Sequence, residues 1–336
     1  MEKTRMGIIG IGGWGKNLLR NFSELEEAEV AYAADLVEDR LESARSKYPD
    51  TRMTKDYREI LADESIRAVV VATPGSSHYR LAREALEAGK DVYIEKPMTL
   101  TSAESRMLLE TAEQRDRIVM VGHLLLYHPA VVKLREQLSR GTIGDLHYIY
   151  TQRVNLGKIR RSENALWTFA PHDISVILHL VEKQPVSVAA WGNSYVQEGV
   201  EDVVFVRVAF HDGVMAHIHV SWLDPHKIRR ITLVGSRGMM VFDDMDAAAP
   251  VRIYDKGVSD ELEYDSFGEY LNLRYGEEYV PWLPSGEPLK LECAHFLESV
   301  SSRKAPLTDA RNGLAVVSIL EAAQNSLEAG GEIVNL

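Results

Sequence analysis

The sequence predicts an α/β protein in which a doubly wound parallel sheet is followed by an α+β domain built on a mostly antiparallel, open sheet. Three observations carry this. Short β-branched runs alternate with helical patterns through the first third of the chain. That alternation stops near His123, where longer strands with hairpin signals take over. The length, 336 residues, is about twice that of a typical domain. The expected division is residues 1–122 and 123–336.

In the first part, candidate strands cover 6–11, 30–34, 68–72, 91–94 and 118–121. Their side chains are nearly all apolar, as strands covered on both faces require. Between them, 77–88 repeats Leu81, Ala85 and Leu86 at helical spacing and stops at Gly89. A further helix opens at Ser102, read as its N-cap, and runs to Gln114. Five strands joined by crossovers make a doubly wound sheet.

The second part begins with a helix over 129–140, then strands over 146–154, 186–191, 203–210 and 214–221. His211-Asp212-Gly213 is a hairpin turn, because Asp-Gly tolerates the positive φ such turns need. Strands 229–234 and 239–242 follow, joined by a turn at 235–238. The segment 243–288 is polar, aromatic and poorly periodic, and reads as long loops covering a cleft or a partner subunit. A last helix over 313–327 aligns Leu314, Val317, Leu320 and Leu327.

Composition narrows the function classes. Hydrophobic residues at 45% and charged residues at 26% suit a folded, water-soluble chain. A net charge of −12 argues against nucleic acid, whose binding draws on clustered Lys and Arg. The start, Met1-Glu2-Lys3-Thr4-Arg5, has no signal-peptide core, and no apolar run approaches the ~20 residues of a membrane span. A cytoplasmic protein is expected. One cysteine, Cys293, excludes an intrachain disulfide and sits in the amphipathic run 289–300, where a buried thiol is expected. The histidines form no metal set: no paired His on one helix face has an acidic companion, and His217 and His219 belong to a strand.

The informative motif is Gly10-Ile11-Gly12-Gly13-Trp14-Gly15, a G-x-G-x-x-G element between the first strand and a helix. In that context Gly10 serves a tight turn, Gly12 admits a pyrophosphate to the backbone, and Gly15 lets helix and strand pack closely. Gly13 and Trp14 share the turn. Asp35, ending the second strand, suits the adenosine ribose hydroxyls. No basic residue follows it closely, Arg40 being the first, so NAD is favoured over NADP. Ala72-Thr73-Pro74 ends the third strand at the edge where such sheets bind ligands, and Glu95-Lys96-Pro97 ends the fourth. Lys96 stands there beside the expected nicotinamide, where a nearby cation and partial burial suit it to acid–base work.

Taken in order, Gly10 to Gly15, Ala72-Thr73-Pro74 with His78, and Glu95-Lys96-Pro97 resemble the Gfo/Idh/MocA oxidoreductase family. The resemblance continues through Trp167-Thr168-Phe169-Ala170-Pro171-His172-Asp173 and Ser221-Trp222-Leu223 to the closing helix at Glu321-Ala322-Ala323-Gln324, so it spans nearly the whole chain. It implies a Rossmann domain followed by an open-sheet domain, homodimers or homotetramers, and a sugar, cyclitol or nucleotide-sugar substrate. It implies cofactor contacts at Thr73, Pro74, His78, Glu95 and Lys96 beside the glycine turn and Asp35. It also implies that Lys96 and His172, the latter at the start of a helix, handle the hydroxyl proton while hydride passes to the nicotinamide. One position departs from the pattern: many relatives carry Asp four residues before this histidine, where this chain has Thr168. Asp173 is a candidate to compensate, or to cap the helix.

Further candidates for the substrate side are His123, Arg153, Asn155, Arg160, Asn164, Trp167 and Asp173. Arg153, Lys158, Arg160 and Arg161 suggest an anionic sugar, since guanidinium forks match carboxylate and phosphate. Tyr127, His128 and His226 are weaker candidates. Two other readings stand beside the dehydrogenase. In one, tightly held NAD is reduced and reoxidised within a single turnover, giving epimerisation or glycoside cleavage; in the other, the chain is a nucleotide-binding regulator without catalysis.

Overall fold

The structure is a computed structural model that describes residues 3–161, 163–265 and 268–336. It divides into two compact units, Met1–Tyr127 with Gly286–Ser318, and His128–Ser285 with Ile319–Leu336. The expected single cut after residue 122 differs from this division, because 286–318 return to the first unit.

The elements of the first unit run β1 (Thr4–Ile9), α1 (Gly15–Ser23), β2 (Ala28–Ala34), α2 (Glu38–Arg45), β3 (Arg52–Thr54), α3 (Arg58–Ala62), β4 (Ala68–Val71), α4 (His78–Glu87), β5 (Asp91–Ile94), α5 (Ser102–Gln114) and β6 (Val119–Val121). The six strands form one sheet in the order β3-β2-β1-β4-β5-β6, parallel at every pairing. This is the Rossmann order, which reverses between β1 and β4. Five strands were expected and six are present. The missed one, Arg52-Met53-Thr54, is a three-residue edge strand with only Thr54 buried, too short to show a period. Helix α5 is capped by Thr101 and not by Ser102: the Thr101 hydroxyl accepts from the Glu104 N–H at 3.2 Å. β4, β5 and β6 are buried at every position, which is why they read as unbroken apolar runs.

The second unit holds α6 (Pro129–Ser139), β7 (Leu146–Val154), α7 (Ala165–Val181), β8 (Pro185–Asn193), β9 (Val203–Phe210), β10 (Met215–Ser221), β11 (Ile228–Gly235), β12 (Met239–Asp243), β13 (Val251–Asp265) and β14 (Gly268–Tyr279). The chain then returns to the first unit with α8 (Pro288–Ser302). Next comes α9 (Ala310–Glu328), whose later turns lie in the second unit, and the chain closes with β15 (Val334–Asn335). The second sheet has nine strands in the order β14-β13-β12-β11-β7-β10-β9-β8-β15, antiparallel except between β7 and β10. Period-two burial sets its faces. Val204, Val206, Val208 and Phe210 of β9 and Ala216, Ile218 and Val220 of β10 point inward, and α7 packs against these strands. The turn between β9 and β10 sits at Asp212 and Gly213, both at positive φ (65° and 79°).

The expectation of loops over 243–288 is corrected. β13 and β14 are long paired strands, with register shifts between Tyr254 and Lys256 and between Val258 and Leu262 that break the alternation sequence reading relies on. Cys293 lies buried in α8, as expected. Among the described residues, no helix is long and apolar enough to cross a membrane.

Candidate active site

The glycine turn is built by close approach. Gly10 has φ +92°, and a Cβ on it would stand 2.8 Å from the Ala72 carbonyl oxygen. A Cβ on Gly15 would collide with the Gly10 carbonyl oxygen. Together they turn β1 directly into α1, so the first N–H groups of the helix stand at the carboxyl end of β1, beside the order reversal of the sheet. Around Gly13 a Cβ would meet nothing within 4 Å, so the turn is open on that side. An open, side-chain-free turn at a helix N-terminus fits the pyrophosphate of a dinucleotide.

Asp35 is buried and braces this turn. It accepts from the Ile11 N–H at 3.0 Å, the Val37 N–H at 3.0 Å and Arg40 Nη1 at 3.2 Å. The premise that no basic residue stands close to Asp35 is therefore corrected. Five residues later in sequence, Arg40 folds back from the first turn of α2 onto the carboxylate, and its Nη1 would lie 3.1 Å from a Cβ on Gly12.

Thr73 and Pro74 follow β4 at the same edge, with Thr73 Oγ1 2.7 Å from Ser77 Oγ. His78 has a supporting place at this edge. It is buried, with Nδ1 2.7 Å from the Pro97 oxygen and Nε2 2.8 Å from the Thr73 oxygen, so it ties together the loops that end β4 and β5.

At the end of β5, Trp14 Nε1–H donates to Glu95 Oε1 at 2.7 Å, and the Lys96 N–H donates to Glu95 Oε2 at 3.2 Å. Burial pushes the Glu95 carboxyl up to about 7, against the opposing pull of the Lys96 charge and the Trp14 N–H. Behind it, Tyr93 Oη lies 2.9 Å from Glu292 Oε2 on α8. Burial first, and then the Glu95 charge, hold Glu292 well above the usual carboxylate range, so it is neutral. His123, after β6, is buried, with Nδ1 2.7 Å from Asn312 Oδ1 on α9. Burial lowers the imidazole to about 4, the Asn312 hydrogen bond opposes this, and the Lys96 charge adds to it. Glu292 and Asn312 escaped sequence reading because both stand nearly 200 positions from their partners, and no local pattern marks them.

In the second unit, His172 lies well inside α7 and not at its start, half-buried and directly after Pro171, which has no N–H to give the helix. Asp173 lies inside α7 and does not cap it, Asn164 being the cap. It is 1% exposed and takes a two-pronged ion pair from Arg153, Nε to Oδ2 at 2.7 Å and Nη2 to Oδ1 at 3.2 Å. Arg160 pairs with Glu163 at 2.9 Å on an exposed loop. The basic cluster read as an anion site is therefore in part neutralised by its own neighbours. Asn164 is the cap of α7: its Oδ1 accepts from the Trp167 N–H at 3.1 Å, and its Nδ2 donates to Glu201 and Gln324. Trp167 Nε1 donates to Gln324 at 3.3 Å. These two residues shape the start of α7, where substrate contacts were expected. Asn155 is half-buried and bonds through its N–H to the Ser221 oxygen. Of the weaker candidates, Tyr127 pairs with His295, and His128 caps α6. Among the described residues, no cluster suits a metal ion.

A parallel six-stranded sheet with this glycine turn and a Glu-Lys-Pro strand end defines a dinucleotide-binding protein of the oxidoreductase class. Residues 4–123 match the family model described as Gfo/Idh/MocA oxidoreductase family, NAD-binding Rossmann fold, and residues 131–241 match the C-terminal domain model of the same family. The chain belongs to the Gfo/Idh/MocA oxidoreductase family. Among curated proteins it is 27% identical to myo-inositol 2-dehydrogenase of Thermotoga maritima over 338 residues, covering 96% of each chain. Among solved structures it resembles UDP-N-acetylglucosamine 3-dehydrogenase GnnA of Acidithiobacillus ferrooxidans, with TM-score 0.83, 23% identity, and coverage of 98% and 99% of the two chains. It also resembles GenD2 from gentamicin A biosynthesis, solved with NAD, with TM-score 0.82, 20% identity, and coverage of 100% and 97%. The two structural likenesses show the fold.

Proposed function

We propose that this chain is an NAD-dependent dehydrogenase that oxidises a secondary hydroxyl of a cyclitol or sugar, with Lys96 as the residue that takes up the hydroxyl proton. The observation that carries the reading is the Glu95-Lys96-Pro97 strand end, tied by Trp14 to the glycine turn. NAD, when bound, accepts the hydride. Gly10 to Gly15, Asp35, Thr73 and Pro74 would hold it, and Glu95 keeps Lys96 in place through the Lys96 N–H. His172 is proposed as the second proton-handling residue on the family resemblance alone. A neutral cyclitol or sugar ranks ahead of an anionic one because Arg153 and Arg160 are occupied by carboxylates. The curated relative named myo-inositol 2-dehydrogenase supports a cyclitol as the substrate class. A cytoplasmic location fits a nicotinamide enzyme with one buried thiol.

We further propose a homo-oligomer, dimer or tetramer, formed over the outer face of the second sheet. Trp191, Phe205, Met215, Tyr148 and Tyr150 are exposed there, on neighbouring strands of one face, and grouped exposed apolar side chains mark interaction surfaces. A monomer in sedimentation velocity would remove this part of the reading.

The test is nicotinamide absorbance on mixing protein and NAD with myo-inositol, free aldoses, uronates and nucleotide sugars, beside Lys96→Ala and His172→Ala. Reduction by one class should fall by on the order of 10² to 10⁴ in Lys96→Ala while NAD still binds. Near-normal turnover in that variant defeats the role of Lys96. Nucleotide retained through purification, with no net reduction, would point instead to internal redox cycling. Nucleotide binding with no chemistry at all would point to a regulator.

A further inference from the structure

The return of 286–318 to the first unit brings a residue to the site that no motif marks. The Val121 N–H donates to the Thr308 oxygen at 2.8 Å, Met120 and Asp309 form a β-bridge, and Asp309 Oδ1 accepts from the Asn312 N–H at 2.9 Å. The first turn of α9 is thereby fastened to β6, and Asn312 Oδ1 comes to 2.7 Å from His123 Nδ1.

An amide oxygen only accepts, so in this arrangement His123 Nδ1 carries the proton and Nε2 is a bare lone pair. Nε2 is fully buried and has no hydrogen-bond partner. Turning the amide over would place the proton on Nε2 instead, leaving a buried donor unsatisfied with its positive end in the field of the Lys96 ammonium. The lone pair is the arrangement that Lys96 favours. A buried nitrogen left without a partner is costly, so a group able to donate to it is called for.

We propose that Asn312 is a positioning residue: it holds His123 as the neutral Nδ1–H tautomer, so that Nε2 accepts a hydrogen bond from the Lys96 ammonium once Lys96 has taken the hydroxyl proton. This rests on the proposed role of Lys96, but the tautomer half stands apart from it. Ile94 of β5 pairs with Val121 of β6, so Lys96 and His123 each follow that rung by two residues at the same sheet edge; burial lowers the proton affinity of His123, the Asn312 hydrogen bond opposes this, and the Lys96 charge adds to it. An aspartate at 312 would favour the imidazolium and set two cations side by side.

The experiment is ¹⁵N NMR of the full chain labelled at histidine, with His123 assigned by the resonance missing in His123→Gln. The expected spectrum has a pyrrole-type Nδ1 and a pyridine-type Nε2 for His123 across pH 5 to 8. In Asn312→Leu the two tautomers should mix, and in Asn312→Asp His123 should titrate close to neutral pH. With NADH bound, Lys96→Met should move Nε2 further toward the free-lone-pair range. With myo-inositol, or whichever of the compounds above is oxidised, Asn312→Leu should lower kcat on the order of tenfold, the loss of one hydrogen bond, with KM for NAD unchanged. Asn312→Asp should move the acidic limb of the kcat profile, where Lys96 must be neutral to take the hydroxyl proton, down by about one pH unit. A pyrrole-type Nε2 in the unmodified chain overturns the proposal, even if Asn312→Leu fails to fold. An Nε2 resonance unchanged in Lys96→Met overturns its second half. Should Lys96→Ala stay active while His123 is the Nδ1–H tautomer, the Lys96 reading falls and the Asn312–His123 assignment stands.

Discussion

Trp14 Nε1–H donates to Glu95 Oε1 at 2.7 Å, linking the glycine turn after β1 to the end of β5 across the edge of one parallel sheet. Two motifs separated by some eighty residues are thus one construction. The indole steadies the carboxylate that in turn holds the Lys96 backbone N–H. A shift of the turn would be felt at Lys96, and the reverse.

The pH dependence of stability should report this link. Glu95 is raised from its ordinary 4.5 to about 7 in the folded chain. Between those values the folded state keeps a proton that the unfolded state has released, so stability falls as pH rises through that window. Removing the indole donor in Trp14→Phe withdraws support from the charged form, raising Glu95 further and carrying the fall beyond pH 7. Glu95→Gln abolishes this contribution. Calorimetric Tm measured from pH 5 to 8 should therefore drop less in Glu95→Gln than in the unmodified chain, and continue dropping at the alkaline end in Trp14→Phe. Three parallel curves would show that Glu95 titrates normally.

Cofactor choice should turn on Asp35 and Arg40 acting against one another. The carboxylate repels a 2′-phosphate and the guanidinium attracts one, and they stand 3.2 Å apart. Asp35→Ser leaves Arg40 unopposed, so the ratio of kcat/KM for NAD to that for NADP should fall on the order of tenfold to a hundredfold, the worth of a charge-assisted hydrogen bond. KM for NAD should rise as well, because the Ile11 N–H loses its acceptor. Arg40→Ala should lower NADP use and change NAD use little. A ratio that does not move in Asp35→Ser would mean that this carboxylate only braces the turn.

How much of this was legible in the sequence follows from how local each feature is. β4 and β5 are buried on both faces, and their unbroken apolar runs could be read directly. β7 and β9 were placed to the residue, β9 because its inward and outward positions alternate cleanly. β3 was missed because three residues at an edge show no period, and β13 with β14 because their register shifts break the alternation. At the site, Gly10 to Gly15 and Glu95 to Pro97 were legible because backbone geometry demands those residue types at those places. Arg40 stands five residues from Asp35 along the chain, a separation that the sequence shows and that the turn of α2 closes. Glu292 and Asn312 carry no local signal at all. They matter only because α8 and α9 come back to the first unit, a fact of tertiary structure.

The ion pair between Arg153 and Asp173 should prove structural, and its test also bears on His172. Asp173 is 1% exposed and the Arg153 side chain 11%, so the pair joins β7 to α7 almost out of water. Removing one partner of a buried pair strands the other charge, which typically costs about 3 to 5 kcal/mol, whereas replacing both by apolar groups of similar size is often nearly neutral. Asp173→Leu and Arg153→Met should each lower the urea midpoint of the intact chain strongly, and the double variant should recover most of the loss. If the double variant is instead as unstable as the sum of the two, the pair is held by packing and not by charge balance. Because His172 directly precedes Asp173 in α7, the pair also fixes how that turn of the helix is rotated. In the double variant stability should return while turnover stays reduced, since nothing then pins the rotation. Full recovery of both would mean that the packing of α7 on β10 orients His172 without help from the ion pair.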